Sequence, residues 1–264
     1  MPFMINFLSR RGAATLATWR IWRETLRFAG QATLTALTPG AYNSATRAVV
    51  LKQIYFTAWQ ILTGFSLFAA LLSFVLIQIV VTTAAAYGMS AYALEISMRL
   101  LVLELLPLIT ALFVALRSGS AINTEVALMK IHGEVEALES AGVDTLRLEF
   151  MPRVIGGMIS VLALTTLTCV LAVLLAYLAV YGVQTWSVPD FNRVMARVFD
   201  APALAGMLLK SLAFGLAVTV IPVAEGLATP RKLFMAPISV LRGMVRLFFA
   251  LMLIEVAALA AKYI

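Results

Sequence analysis

The sequence predicts an all-α membrane protein with five transmembrane helices. Of its 264 residues, 62% are hydrophobic and only 12% are charged, which leaves too little polar surface to cover a soluble globule. No formally charged residue occurs between Lys52 and Glu95, or between Arg153 and Asp190. Because a run of roughly 20 apolar residues already crosses a bilayer, each of these stretches can contain a transmembrane span.

The N-terminal region, residues 1–52, is predicted to lie at the membrane surface. Between residues 16 and 37, Trp19, Trp22 and Leu26 fall on one helical face with arginines beside them, a pattern typical of a helix in the headgroup plane. Pro39 and Gly40 are expected to end this helix. An ordinary surface helix of a soluble domain has a similar pattern and remains an alternative.

The remaining residues, 53–264, form the predicted transmembrane domain. Its last apolar run is short for a span, so the fifth helix is expected either to begin among the residues just before Arg246 or to lie in a thinned bilayer. The five predicted spans are residues 59–82, 96–116, 154–181, 204–224 and 247–261.

The distribution of Lys and Arg predicts a multi-pass protein with a cytoplasmic N-terminus. One set of segments is rich in these residues, with seven in 1–52, four in 117–153 and four in 226–246. The alternate segments are poor in them, with two in 182–203 and none in 83–94. Positive charge favours the cytoplasmic side, so the polar segment 117–153 is expected there. The net charge of +7 therefore indicates a membrane surface and not nucleic acid.

The polar segment 117–153 is predicted to contain an amphipathic helix of about four to five turns. Leu128, Ile131, Val135 and Leu138 follow helical spacing, and Gly142 is expected to end the helix. Such a helix can lie on lipid or dock into the groove of a partner. Its acidic residues favour the partner, because anionic headgroups repel carboxylates.

Catalytic and metal-binding signatures are missing from the sequence. His132 and Cys169 are the only residues of their types, and no nucleotide-binding loop is present. We therefore expect no catalytic residue, no metal and no cofactor in this chain. Energy from ATP would have to come from a partner.

Five ionisable residues lie within or close to the predicted spans. Glu104 and Arg99 are five residues apart and do not share a helical face closely, so each is expected to need a partner on another helix. Lys210 and Glu225 lie near span ends and are predicted to extend towards the membrane surface. For Glu255, a structural ion pair and a functional role are equally open.

Seven ordered blocks of sequence lie between residues 53 and 157. They are Gln53–Thr57, Glu104–Leu112, Arg117–Ala121, Glu125–Met129, Glu134–Glu139, Ala141–Asp144 and Met151–Val154. In order and spacing these blocks closely resemble the MlaE/YrbE-type permeases of ABC transporters, and together they make the resemblance far more specific than one motif.

The resemblance implies a function and a set of partners. Two copies of such a permease pair as a homodimer, with a cytoplasmic ABC ATPase that uses ATP and Mg and with an MCE-type substrate-binding protein. The assembly sits in the inner membrane and moves phospholipids between the inner and outer membranes. The N-terminal helix would brace the dimer.

The resemblance also implies two sets of functional residues. The coupling helix, around residues 123–142, would contact the ATPase through Glu125, Leu128, Met129, Ile131, Glu134, Val135 and Leu138. The lipid would be contacted by Glu104 near its headgroup, together with Arg99, Tyr87 and Leu103.

This sequence departs from the family pattern at four places. Gly133-Glu134 replaces a Glu-Gln or Glu-Glu pair, Thr145 replaces a proline, and Leu103 replaces an arginine. The family's Gly-Arg-Ala-Thr-Thr block before the last span is hardly recognisable around Arg242 and Gly243. A noncatalytic membrane scaffold of the same fold is therefore an alternative function, and a lipid-modifying membrane enzyme is a weaker one.

Overall fold

A computed structural model of the chain describes residues 19, 21–38, 40, 42–183 and 185–263. These described residues form helices joined by short turns, with no β-strand among them. Five helical stretches are long and apolar enough to cross a membrane, which confirms the predicted fold class. They are Ser44–Ala86, Tyr92–His132, Leu146–Tyr181, Ala201–Leu227 and Met235–Lys262, numbered here as spans 1 to 5.

The N-terminal part contains helices α1 (21–36) and α2 (Ser44–Thr57). The predicted surface helix began at residue 16, and residues 1–18 lie outside the described residues. Within α1, the buried Ala32 packs with Val154 and Val220, so this helix lies against the bundle. The predicted domain boundary after residue 52 falls inside α2, which starts where the Asn43 side chain accepts a hydrogen bond from the Thr46 amide at 2.8 Å.

Spans 1 and 2 are interrupted helices. Span 1 continues from α2 through one 3₁₀ turn into α3 (Leu62–Ala86). Span 2 comprises α4 (Ser90–Ser97), a π-helical stretch at Met98–Leu105, α5 (Leu106–Val114), a second π-helical stretch at Ala115–Gly119, and α6 (Ser120–His132). The first π-helical stretch ends just before Pro107. Proline has no amide hydrogen, so the regular α-helical bond to residue 103 cannot form there.

The predicted coupling helix is split in two, so the expectation of one continuous helix was wrong. Helix α6 ends at His132 and α7 (Glu134–Ser140) follows directly. Gly133 between them has a φ of 76°, in the left-handed region that glycine adopts without steric cost. Gly142, with a φ of 78°, follows α7 as the expected stop.

Spans 3 to 5 are long and continuous. Span 3 begins with a π-helical stretch, Leu146–Phe150, and continues as α8 (Met151–Tyr181). The amphipathic helix α9 (Val188–Val198) then leads to α10 (Ala201–Leu227). The last helix, α11 (Met235–Tyr263), begins well before Arg246, which confirms the prediction that the fifth span starts upstream of its apolar run.

The core of the bundle forms where α8 and α10 meet. Leu164 on α8 and Phe214 on α10 belong to one buried cluster, which also includes Phe65 of α3. The two helices approach closely at Gly215, where an added Cβ atom would lie 2.8 Å from the Cα atom of Met158. That neighbour is backbone and cannot rotate away. The contact therefore requires glycine.

The close approach predicts opposite outcomes for two glycines of α10. Gly215→Ala should lower the free energy of unfolding by about 1 to 3 kcal/mol, because the new methyl group overpacks the helix contact. Gly206→Ala is the matched control. Its Cβ would meet nothing within 4 Å, and alanine favours the helix. Thermal unfolding in detergent measures both, and equal stability of the two variants would contradict the packing.

Candidate functional site

Four charged side chains form an intramembrane cluster between spans 2, 4 and 5. The cluster consists of Glu104 from span 2, Lys210 from α10, and Glu255 and Lys262 from α11. The Nζ atom of Lys210 lies 2.5 Å from a Glu104 oxygen and 3.3 Å from Glu255. The Nζ atom of Lys262 lies 2.6 Å from the other Glu104 oxygen. Glu104 is thus bonded to both lysines.

The four side chains of this cluster differ in exposure. The Lys210 side chain is only 3% exposed, Glu255 is 10% and Glu104 is 13% exposed, whereas Lys262 is 30% exposed. The prediction that Lys210 extends to the membrane surface was wrong. Two carboxylates lie within reach inside the bundle, and pairing with them satisfies the ammonium group where it is. Glu255 pairs with the same lysine, so a structural ion pair exists at that position.

The other predicted lipid-contact residues have different surroundings. Arg99 pairs with Glu95, four residues earlier, at 3.1 Å. It also donates a hydrogen bond at 2.9 Å to the carbonyl of Arg197 in α9, so its partner outside span 2 is a backbone group. Leu103 is buried in an apolar cluster, and Tyr87 is exposed at the end of α3. Only Glu104 of the predicted set belongs to the charge cluster.

The predicted coupling segment, which comprises α6 and α7, is attached to span 3 by Arg153. This buried arginine donates hydrogen bonds to Glu125 of α6 at 2.8 and 3.2 Å and to Glu149 at 2.9 Å. Such a bidentate arginine contact fixes orientation as well as distance. Next to it lies an open groove of about 960 Å³ between α2 and α6, lined by residues that include Lys52, Gln53, Arg117, Leu128 and Glu134.

The residues predicted to contact an ATPase divide into two groups. Val135 is buried in a cluster with Val126 and Phe150, so it faces the protein interior. The other six are exposed or half-buried. They are Glu125, Leu128, Met129, Ile131, Glu134 and Leu138.

A second buried polar network joins α6 to spans 4 and 5. Glu225 is buried and pairs with Arg246 and, at 3.4 Å, with Arg242, so the prediction that it extends to the surface was wrong. Asn123 of α6 accepts a hydrogen bond at 3.1 Å from Ser239 Oγ, which also donates to the Glu225 carbonyl at 3.2 Å.

The same network reaches the N-terminal helix through Arg246. This side chain donates to the Thr25 hydroxyl at 3.2 Å and lies over the ring of Trp22, 5.1 Å from its centroid. The guanidinium thus combines an ion pair with a cation–π contact. Sequence patterns did not reveal this network, because its members are far apart along the chain.

No group of three or more His, Cys, Asp or Glu side chains among the described residues could hold a metal ion. The charge cluster itself offers ammonium and carboxylate groups. These groups bind charged ligands by hydrogen-bonded ion pairing.

Five bilayer-length apolar helices define a multi-pass membrane protein. Sequence comparison makes this class specific. The chain belongs to the MlaE permease family, because the family model described as "Permease MlaE" matches residues 50–261. It is a permease of this family.

Individual relatives match over shorter segments. The chain is 30% identical over 129 residues to the chloroplastic protein TRIGALACTOSYLDIACYLGLYCEROL 1 of Arabidopsis thaliana, covering 48% of this chain and 36% of the relative. It is 44% identical over 64 residues to the intermembrane phospholipid transport system permease protein MlaE of Haemophilus influenzae, 24% of each chain. A probable ABC transporter permease protein of Rickettsia typhi is 28% identical over 145 residues, 53% of this chain and 56% of the relative. The matches thus span about half or less of these relatives.

Glu136 of α7 predicts a measurable pH response. The hydrogen bond from the Lys130 ammonium, with a smaller contribution from Arg231, lowers the pKa of the Glu136 carboxyl to about 2. A lowered pKa stabilises the folded state above the ordinary value of 4.5, and this contribution is lost as the pH falls through about 2. Carboxyl NMR titration of the protein in nanodiscs should give a pKa near 2, rising towards 4.5 in Lys130→Gln. An unchanged pKa in that variant would contradict the ion pair.

Proposed function

We propose that this chain is the permease subunit of an ABC transporter that moves phospholipids between the inner and outer membranes. In this proposal the chain works as a homodimer in the inner membrane, with its N-terminus in the cytoplasm. A cytoplasmic ABC ATPase supplies the energy of ATP with Mg, and an MCE-type substrate-binding protein exchanges lipid with it. These partners rest on family membership, and the orientation rests on the distribution of Lys and Arg.

The observation that carries the proposal is the charge cluster between spans 2, 4 and 5. Ionisable groups inside a bilayer are costly and usually mark a substrate path or an ion pair. Here Glu104 and Lys262 retain part of their exposure, so polar atoms of a lipid headgroup can reach them. The surrounding spans are apolar and suit acyl chains.

Lipid transport also needs a way to release the bound lipid. Burial of acyl chains is worth about 0.8 kcal/mol per CH₂, so the tails bind tightly in any dry cavity. ATP hydrolysis is best used to weaken this binding during transfer, by favouring a conformation with lower affinity.

The coupling segment supplies a physical connection for that energy. In α6, Glu125 contacts Arg153 of span 3, and Asn123 contacts Ser239 of α11. Helices α10 and α11 also carry Lys210 and Glu255 of the charge cluster. Displacement of α6 by an ATPase is thereby transmitted to the helices that hold the headgroup site. The acidic residues of the segment suit a basic groove on that partner.

The experiment is ATP-dependent transfer of a fluorescent phospholipid to acceptor vesicles by the complex co-purified in mild detergent. Glu104→Ala should reduce transfer by at least about tenfold, since it leaves buried Lys210 short of one carboxylate. Joint replacement of Leu128 and Ile131 by Asp should abolish both transfer and ATP hydrolysis, because it places charge on the surface that contacts the ATPase.

Two matched controls should behave like wild type. Asp190→Ala removes an exposed carboxylate of α9 that pairs with Arg193 and not with the charge cluster. Thr124→Ala removes an exposed hydroxyl of α6 that bonds only to its own helix, at Ser120, among the described contacts. An assembled complex that hydrolyses no ATP and transfers no lipid would contradict the proposal and match a scaffold.

A further inference from the structure

The charge cluster contains two buried ion pairs, both made by Lys210, and one more accessible ion pair, made by Lys262. Lys210 is almost fully buried and contacts both Glu104 and Glu255. Lys262 lies on the last turns of α11, is the most exposed member of the cluster, and contacts the Glu104 oxygen that Lys210 does not. A ligand can therefore separate Lys262 from Glu104 without disturbing the contact between Glu104 and Lys210.

The charges of the cluster restrict what such a ligand can be. Among the side chains that the structure describes in this cluster, the two glutamates and two lysines sum to zero. In a poorly hydrated site an added unmatched charge is costly. A ligand that separates Glu104 from Lys262 must give an anion to the lysine and a cation to the carboxylate, and it must itself be neutral overall.

We propose that the Glu104–Lys262 pair selects phospholipids with a zwitterionic phosphoethanolamine headgroup. The phosphodiester oxygens accept hydrogen bonds from Lys262 Nζ, and the primary ammonium donates to Glu104 Oε1. Lys210 stays in place and keeps its hydrogen bond to Glu104 Oε2. This inference rests on the proposed function and names the substrate class of the same site.

Other common headgroups satisfy the pair less well. A choline headgroup is also neutral overall, but its quaternary ammonium has no N–H group and cannot donate to the carboxylate. A glycerol headgroup brings a phosphate for Lys262 but no cation for Glu104, so a negative charge remains unmatched. The predicted order of affinity is phosphoethanolamine first, with phosphocholine and phosphoglycerol behind.

The test is competitive lipid binding to the purified full-length chain in detergent, measured by native mass spectrometry. The probes are equimolar dioleoyl phosphatidylethanolamine, phosphatidylcholine and phosphatidylglycerol. The wild type should bind phosphatidylethanolamine over phosphatidylglycerol by about fivefold, because phosphatidylglycerol leaves one charge unmatched at the partly exposed contact between Lys262 and Glu104. Glu104→Gln should reverse this order, because the remaining side chains carry a net positive charge that favours the anionic lipid.

A second variant keeps the test decisive if Glu104→Gln does not fold. Lys262→Gln leaves the buried Lys210 contacts intact. It should weaken binding of all three lipids, phosphatidylglycerol most of all, since the phosphate loses its cation. Lys232→Gln, a change of the same type in the exposed turn between α10 and α11, should keep the wild-type order.

Different results overturn the headgroup selectivity and the transport function. A wild-type preference for phosphatidylglycerol, or the same headgroup order in wild type and Glu104→Gln, overturns the selectivity proposal even if the complex transfers lipid. If the wild-type complex shows the headgroup preference but no ATP-dependent transfer, the transport function is overturned and the lipid-binding site still stands.

Discussion

The arrangement of spans 2, 4 and 5 depends on one buried ammonium group, that of Lys210 in α10. Lys210 is 3% exposed and contacts Glu104 of one span and Glu255 of another. A buried charge without a partner is strongly destabilising, so these three helices must stay together at this level. The lipid site that we propose uses the same carboxylate that holds the lysine. Glu104 thus holds the buried lysine and, in our proposal, also binds the lipid headgroup.

The same three spans meet again at the other end of the bundle, where Asn123, Ser239 and Glu225 form a buried polar network. Helix α6 continues from span 2 and carries Asn123, and the Arg153 contacts join it to span 3. Packed interiors move as units and do not deform continuously, so we infer that movement at the coupling segment changes the geometry of the lipid site. Arg246 extends this connection to α1.

The sequence predicted the features that depend on local composition. Bilayer-length apolar runs gave five spans, and the shortness of the last run correctly predicted an earlier start for α11. The predictions that Lys210 and Glu225 extend to the membrane surface were wrong because their partners are distant in sequence. Glu104, for example, lies 106 residues from Lys210. The helical periodicity did not reveal the break between α6 and α7 at Gly133, since the apolar pattern continues across it. Only the glycine itself indicated that the helix could end there.

Photo-crosslinking tests the central claim most directly. A phosphatidylethanolamine that carries a photoreactive group beside its phosphate would be bound to the purified chain, irradiated, and located by peptide mass spectrometry. The account predicts labelled peptides that contain Glu104 or Lys262, and loss of the label with excess unlabelled phosphatidylethanolamine. Labelling confined to outward-facing positions such as Leu209 and Leu253, unaffected by competitor, would contradict it.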